Sequence, residues 1–373
     1  MRLKRVTLVL PFFLFYSFFS TGQTNPGQLV VAGFYPYSKG NVLKPEDISF
    51  EKLTHLIYCF AWPELSGSIT TQSKTFHNRD LIKMAHSKGC KVIVMLGGGG
   101  SHSDGFHQMA AQRGSRKRFV NTLTKWCKDY GYDGVNIDWE YPGNNNKAED
   151  RNNLTLLVNE IRTAFDLVKN STGKSLEISM DVHSMLYHAQ WIDYTVLSTY
   201  MDWFGLMTYD YSGEWPSSEH ASHNAPLYCG PADICNRYLC VDRAFHNLKD
   251  SLHVDASRIV LGVPFYGRKF ENATLYETPK VGGDGIAYYD VFNLVDHGWS
   301  RHWDEQSKVP YLLKDEGVGL ISYDDPTSLQ LKIDYIKANK AAGVMIWEIT
   351  QDVDSNKKQP LLESISEHIL SKK

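Results

Sequence analysis

Apolar residues are spaced along this chain in two rhythms. Short, nearly unbroken apolar runs cover 29–35, 53–61, 91–97, 176–182, 203–209, 258–266 and 343–348. Between several of them, apolar positions return at helical spacing, over about 78–87, 115–130, 151–169 and 329–339. Ser115 is placed to cap the second of these helices. Strand-length runs that are apolar on both faces and alternate with helices predict a parallel sheet covered on both sides.

One strand-length run breaks the apolar rule. Residues 131–142 read GYDGVNIDWEYP, with turn residues at either end. If the stretch is extended, Asn136, Asp138 and Glu140 share one face while Val135, Ile137 and Trp139 share the other. Burying an amide and two carboxyls in a row costs free energy unless each finds a partner, so packing alone does not explain the pattern. Asp133, at the start of the run, fits a structural hydrogen-bonding role at least as well as a chemical one.

Counting this run as the fourth gives eight strands and predicts an α/β fold, a closed (β/α)8 TIM barrel. The span between the seventh and eighth strands is too long for one helix. Its segment 269–322, rich in glycine and aromatics, is expected to form a small α+β insertion subdomain after strand 7. Barrels of this kind gather their chemistry at the C-terminal ends of the strands. Asp138, Glu140, Met207, Tyr209, Asp210, Tyr266, Arg268 and Trp347 all fall there. The third strand ends in Gly97 and Gly98, where backbone must bend or approach something closely.

The N-terminus adds a destination. Arg2, Lys4 and Arg5 precede an apolar run from Val6 to Phe19 and then Ser20, Thr21 and Gly22, the layout of a signal peptide over 1–22. The run is shorter than the roughly 20 residues of a membrane span, and Pro11 interrupts it. The expected mature chain, 23–373, is secreted, extracellular or periplasmic, with no membrane contact after cleavage. A formal net charge of −3, more negative once the leader's three cations are gone, argues against nucleic acid as a partner. Aromatics are high at 13%, and Tyr and Trp serve equally as core filler and as stacking platforms for sugar rings.

Six cysteines in so long a chain are no disulfide framework. Cys229, Cys235 and Cys240 lack CxxC spacing, so a loop-closing disulfide is expected among them and no metal. Cys90 and Cys127 both fall at the lower rim of the barrel, which makes a bridge between them geometrically possible. Cys59 sits in an apolar strand and is expected to be buried and inert.

Taken together, these motifs resemble those of family-18 glycoside hydrolases, the chitinases and their relatives. Asp133-Gly134 through Tyr141-Pro142 is similar to the DGxDxDWEYP signature. Gly97-Gly98, Met207-Thr208-Tyr209-Asp210, Leu261 through Arg268, and Trp347 match further motifs in the same order. The resemblance implies a secreted chitinase cutting β-1,4 links between N-acetylglucosamine units. In that family the nucleophile is the substrate's own acetamido group, so a single protein acid protonates the leaving group. Alternatives are the same chemistry on peptidoglycan or an N-glycan core, or a chitin-binding lectin without turnover.

The resemblance makes Glu140 the general acid and base, Asp138 the stabiliser of the intermediate, and Tyr209 a hydrogen-bonding partner of the acetamido group. It makes Trp347 the floor beneath that sugar, and it has Asp210 and Arg268 lining the cleft with Tyr266 and Trp215. Phe60, Gly97, Gly98, Asn136, Tyr141 and Met207 complete the substrate-binding candidates. No cofactor or metal is implied, and a monomer acting on chitin or chitooligosaccharides is expected. The chain departs from the family at Asn136, where most chitinases carry an aspartate, and at Gly99, where many carry a stacking tryptophan. Asn136 is expected to donate a hydrogen bond to Asp138 and, by removing a like charge, to let Asp138 ionise more readily.

Overall fold

The computed structural model describes residues 28–215, 218–233, 238–278 and 282–370. The expected leader at 1–22 and Cys235 lie outside the described residues. Eight parallel strands form the centre: β1 (Val30–Pro36), β2 (His55–Pro63), β3 (Lys91–Gly98), β4 (Gly134–Trp139), β5 (Glu177–His183), β6 (Trp203–Met207), β7 (Ile259–Pro264) and β8 (Gly343–Trp347). Each pairs with the next, and β8 pairs with β1 through Val30↔Gly343 to Gly33↔Ile346, which closes the sheet into a (β/α)8 barrel. A short strand at Ile69–Thr71 runs antiparallel to the end of β2.

Helices at Arg79–Ser87, Arg113–Tyr130, Asp150–Thr172, Val241–His246, Pro326–Ala338 and Pro360–Ile369 cover the outside. Their apolar faces pack on the outward side chains of the strands in one continuous core that includes Leu81, Phe119, Leu157, Phe165 and Ile333. Short 3₁₀ turns alone occupy the connection between β1 and β2. The helix expected to start at Ser115 begins at Arg113 instead. An earlier helix, Phe106–Ala111, ends at Gln112, whose carbonyl accepts from the Arg116 N–H and opens the next helix at once, leaving Ser115 inside its first turn. The 326–338 helix starts with a reciprocal capping box between Asp325 and Ser328.

Between β7 and β8 lies a five-stranded antiparallel sheet whose strands span Tyr266 to Ser322, with a helix at Tyr288–Leu294. Its first strand, Tyr266–Phe270, follows directly from β7, so this sheet rises from the C-terminal mouth of the barrel.

Cys229 and Cys240 form a disulfide in the connection after β6. The bridge considered between Cys90 and Cys127 is absent. Both are free thiols, buried in the apolar layer, and burial pushes each up to about 12. Cys59 is a buried thiol in the barrel interior.

Candidate active site

The polar row of β4 points into the barrel, and its neighbours explain how the barrel holds it. Gly97 on β3 lies opposite Asp138. A Cβ at Gly97 would meet the Asp138 carbonyl oxygen at 2.0 Å, so the close approach of the two strands requires glycine there. On the other side, Asn136 pairs in register with Ser179 of β5. Asn136, Asp138 and Asp181 are all buried. Glu140, one residue beyond β4, is less enclosed, and its backbone N–H donates to the Ser103 hydroxyl at 2.8 Å. The peptide bonds Cys59–Phe60, Glu140–Tyr141 and Trp347–Glu348, at or next to three strand ends, are cis.

Asn136 does not act as expected. Its two amide hydrogens go to Ser179 Oγ at 3.2 Å and to Asp181 Oδ1 at 3.1 Å, leaving none for Asp138. Nor is Asp138 released from a like-charged neighbour. Burial raises its pKa well above the ordinary carboxyl value, with the charges of Glu140 and Asp181 adding to the rise. The sequence reading erred because it considered β4 alone, whereas the adjacent strand brings a carboxyl of its own. Burial also raises Glu140, helped by the charge of Asp210 and opposed by hydrogen bonds from Tyr141 and Asp138. Asp181 is pushed up to about 8, again chiefly by burial.

Beyond β6, Asp210 anchors a second group of side chains. It accepts from Tyr266 Oη at 2.6 Å and from Arg268 Nε at 3.0 Å, while its backbone N–H donates to Asn224 Oδ1 at 3.0 Å. The Arg268 guanidinium lies over the rings of Trp215, at 4.8 Å, and Tyr266, at 5.3 Å. At the opposite side Trp347 contacts Phe34 and Phe60, with ring centroids 5.3 and 5.9 Å apart.

A cavity of about 780 Å³ opens at this end of the barrel. Phe60, Gly98, Asp138, Glu140, Tyr141, Met207, Tyr209, Asp210, Trp215 and Trp347 all line it. Four residues expected there do not. Asn136 lies beneath Asp138, Gly97 serves strand packing, and Tyr266 and Arg268 stand behind Asp210 and Trp215 and fix their orientation. The cavity also takes residues the sequence reading overlooked, notably Phe34, His102, Asp181, His183 and His188. Among the described residues no group of three or more histidine, cysteine or acidic side chains is arranged to hold a metal ion.

The match of this chain to the model for glycosyl hydrolases family 18 extends over residues 20–352. The chain belongs to family 18 of the glycosyl hydrolases. Chitinase A1 of Niallia circulans is 32% identical over 70% of this chain, and an endochitinase of Manduca sexta is 30% identical over 87%. The chain spans 40% and 64% of the lengths of those two family-18 relatives. Among solved structures, a chitinase from Bacillus thuringiensis superposes with a TM-score of 0.85 at 27% identity, covering 92% of this chain and 70% of that one. A family-18 N-acetylglucosaminidase from Paenibacillus barengoltzii gives 0.80 at 28% identity, covering 91% and 100%.

The omissions differ in kind. His183 and Asp181 sit on the inward face of a strand that reads as ordinary apolar filling, and the alternation Ser179, Asp181, His183 was the available signal. His188 reaches the site through aromatic contacts, 4.4 Å from His183 and 4.4 Å from Tyr141, that no spacing announces.

Proposed function

We propose that this protein is a secreted, monomeric chitinase-type hydrolase that cleaves β-1,4 bonds between N-acetylglucosamine units with retention at the anomeric carbon. One observation carries the reading: two carboxyls of unequal enclosure, Asp138 and Glu140, stand side by side at an aromatic-walled cavity with raised pKa values and, among the described residues, no cation paired to either. A neutral Glu140 can give its proton to the glycosidic oxygen. As that bond breaks, the carbonyl oxygen of the substrate's acetamido group bonds to the anomeric carbon, forming a cyclic cation. Asp138 faces the acetamido N–H and offsets the positive charge, and Tyr209 holds the group from the β6 side. Trp347 and Phe34 form the apolar floor. The Glu140 carboxylate then takes a proton from water, whose oxygen attacks the anomeric carbon and reopens the ring.

Asp210, fixed by Tyr266 and Arg268, supplies an oriented acceptor to a sugar hydroxyl on the leaving side. Glu140 is the residue a non-catalytic lectin of this fold has no need to keep, which favours turnover. The test is digestion of chitooligosaccharides beside peptidoglycan, with product anomers followed by NMR. Release of β-anomers from chitooligosaccharides is expected. Cleavage of peptidoglycan alone would move the substrate to the bacterial wall, and no release from either would sink the hydrolase reading.

A further inference from the structure

Asn136 deprives β4 of a carboxyl, yet the barrel interior is not short of one. Asp181 of β5 is 4% exposed, lines the cavity, and accepts from Asn136 Nδ2 at 3.1 Å. The register of β4 with β5, Asn136↔Ser179 and Ile137↔Met180, carried one residue further, sets Asp181 beside Asp138. Room for it comes from β6, where Gly205 stands opposite Asp181. A Cβ there would lie 2.3 Å from Asp181 Oδ1 and 2.5 Å from Met345 Sδ. A buried carboxyl, a glycine that vacates its space and an amide turned to meet it form a built arrangement that barrel filling does not require.

Two further atoms give the arrangement a purpose. Among the described residues, Asn136 Oδ1 and Asp138 Oδ1 are buried acceptors without a donor. Because Asp181 and Ser179 take both hydrogens of the Asn136 amide, its oxygen is the atom left over for the β4 side. A proton on Asp138 Oδ1 would turn one orphan into a donor, with a second acceptor, Asn136 Oδ1, two residues away on the same strand face.

We propose that Asp181 is a positioning residue for the proposed hydrolysis, replacing from the neighbouring strand the second carboxyl that Asn136 withholds. It clamps the Asn136 amide in one orientation, and because two buried carboxyls on adjacent strands resist ionising together, it keeps a proton within the Asp138–Asp181 pair until substrate arrives. The inference rests on the hydrolase reading of the site. The titratable groups facing Asp181 are Asp138 and Glu140 from β4, Tyr209 from the end of β6 and Cys59 from β2, with no ion pair to a cation among the described residues.

The experiment compares Asp181→Asn, Asp181→Ala, Asn136→Asp and Asn136→Asp/Asp181→Asn, each assayed across pH on a chromogenic chitooligosaccharide. Asp181→Asn should lower kcat about tenfold or more with KM within about twofold, and should move the limbs of the pH profile. The double variant, which returns a carboxyl to β4, should recover most of the loss. An unchanged kcat and profile in Asp181→Asn, or a double variant no better than Asp181→Asn, overturns the proposal.

Thermal unfolding separates this outcome from failure of the hydrolase reading, since it needs no turnover. A carboxyl with a folded pKa of about 8 against the ordinary 3.8 lends stability that is full at low pH and lost as pH rises through about 8. The Tm of Asp181→Asn relative to wild type should therefore climb from about pH 5 to about pH 9. A Tm difference independent of pH removes the coupled charge from Asp181 and overturns its role even in a protein that cuts nothing.

Discussion

Strands β4 and β5 and the residues flanking them carry acidic side chains at both ends of the barrel, and the two ends treat them in opposite ways. At the lower rim, burial alone would push Glu177 up, but His55 at 2.9 Å and a contact from Lys91 hold it down at about 2. Asp133 at the same rim accepts from His86 Nε2 at 2.7 Å and the Val92 N–H at 2.8 Å, and pairs with Lys174 at 3.0 Å. At the mouth, Asp138, Glu140 and Asp181 face one another with no ion pair to a cation among the described residues, and all three rise. Glu177 is held as an anion where it ties strands together, while the carboxyls at the mouth bind protons, as the proposed hydrolysis requires. A buried carboxyl therefore marks chemistry by the company it keeps, and burial alone does not separate the two cases.

Substitution at each end should give opposite phenotypes. Glu140→Gln is expected to lower kcat about 10³-fold with Tm almost unchanged; a comparable loss of Tm would mean that the mouth is scaffold too. Glu177→Gln should cost about 3 kcal/mol by stranding His55 in the interior while leaving kcat intact, read by denaturant unfolding beside a kinetic assay. That cost has a pH signature. Glu177 lends stability that is full above its ordinary value near 4.5 and vanishes as pH falls through about 2, so the wild-type advantage should shrink on acidification. This is the reverse of the trend set by Asp181, and parallel trends at the two ends would break the comparison.

Tyr209→Phe keeps the ring and removes the hydroxyl, and about a tenfold to hundredfold fall in kcat is expected with the fold intact. The smallest effect is expected at Trp62, whose ring stacks on His102 at 4.6 Å, with His102 in turn 5.2 Å from Phe60. Trp62→Ala should raise KM for long oligosaccharides by a few-fold, about 1 kcal/mol, and leave short ones unaffected. An equal change for both would deny this ladder any part in replacing the aromatic surface that Gly99 lacks.

Much of this was legible in the sequence because period is a local property. The eight barrel strands and the helices at Arg79–Ser87, Arg113–Tyr130, Asp150–Thr172 and Pro326–Ala338 follow from the spacing of apolar residues, and the alternation of 134–140 put Asn136, Asp138 and Glu140 on one inward face. Contacts between strands are a different matter. That the Asn136 amide turns to Asp181, that Arg268 lies on Trp215 and supports Asp210, and that His188 folds back on Tyr141 depend on register and loop path, which no single segment encodes. Misplacing the start of the 113–130 helix at Ser115 was a smaller error of the same kind, since the preceding short helix decides where the next begins.

The missing side chain of Gly205 ties three positions into one fit. With any other residue at that position, Asp181 would meet a carbon at 2.3 Å unless it and Met345 both gave way. Room at 205, a carboxyl at 181 and an amide at 136 that donates to it depend on one another, so a change at one is felt at the other two.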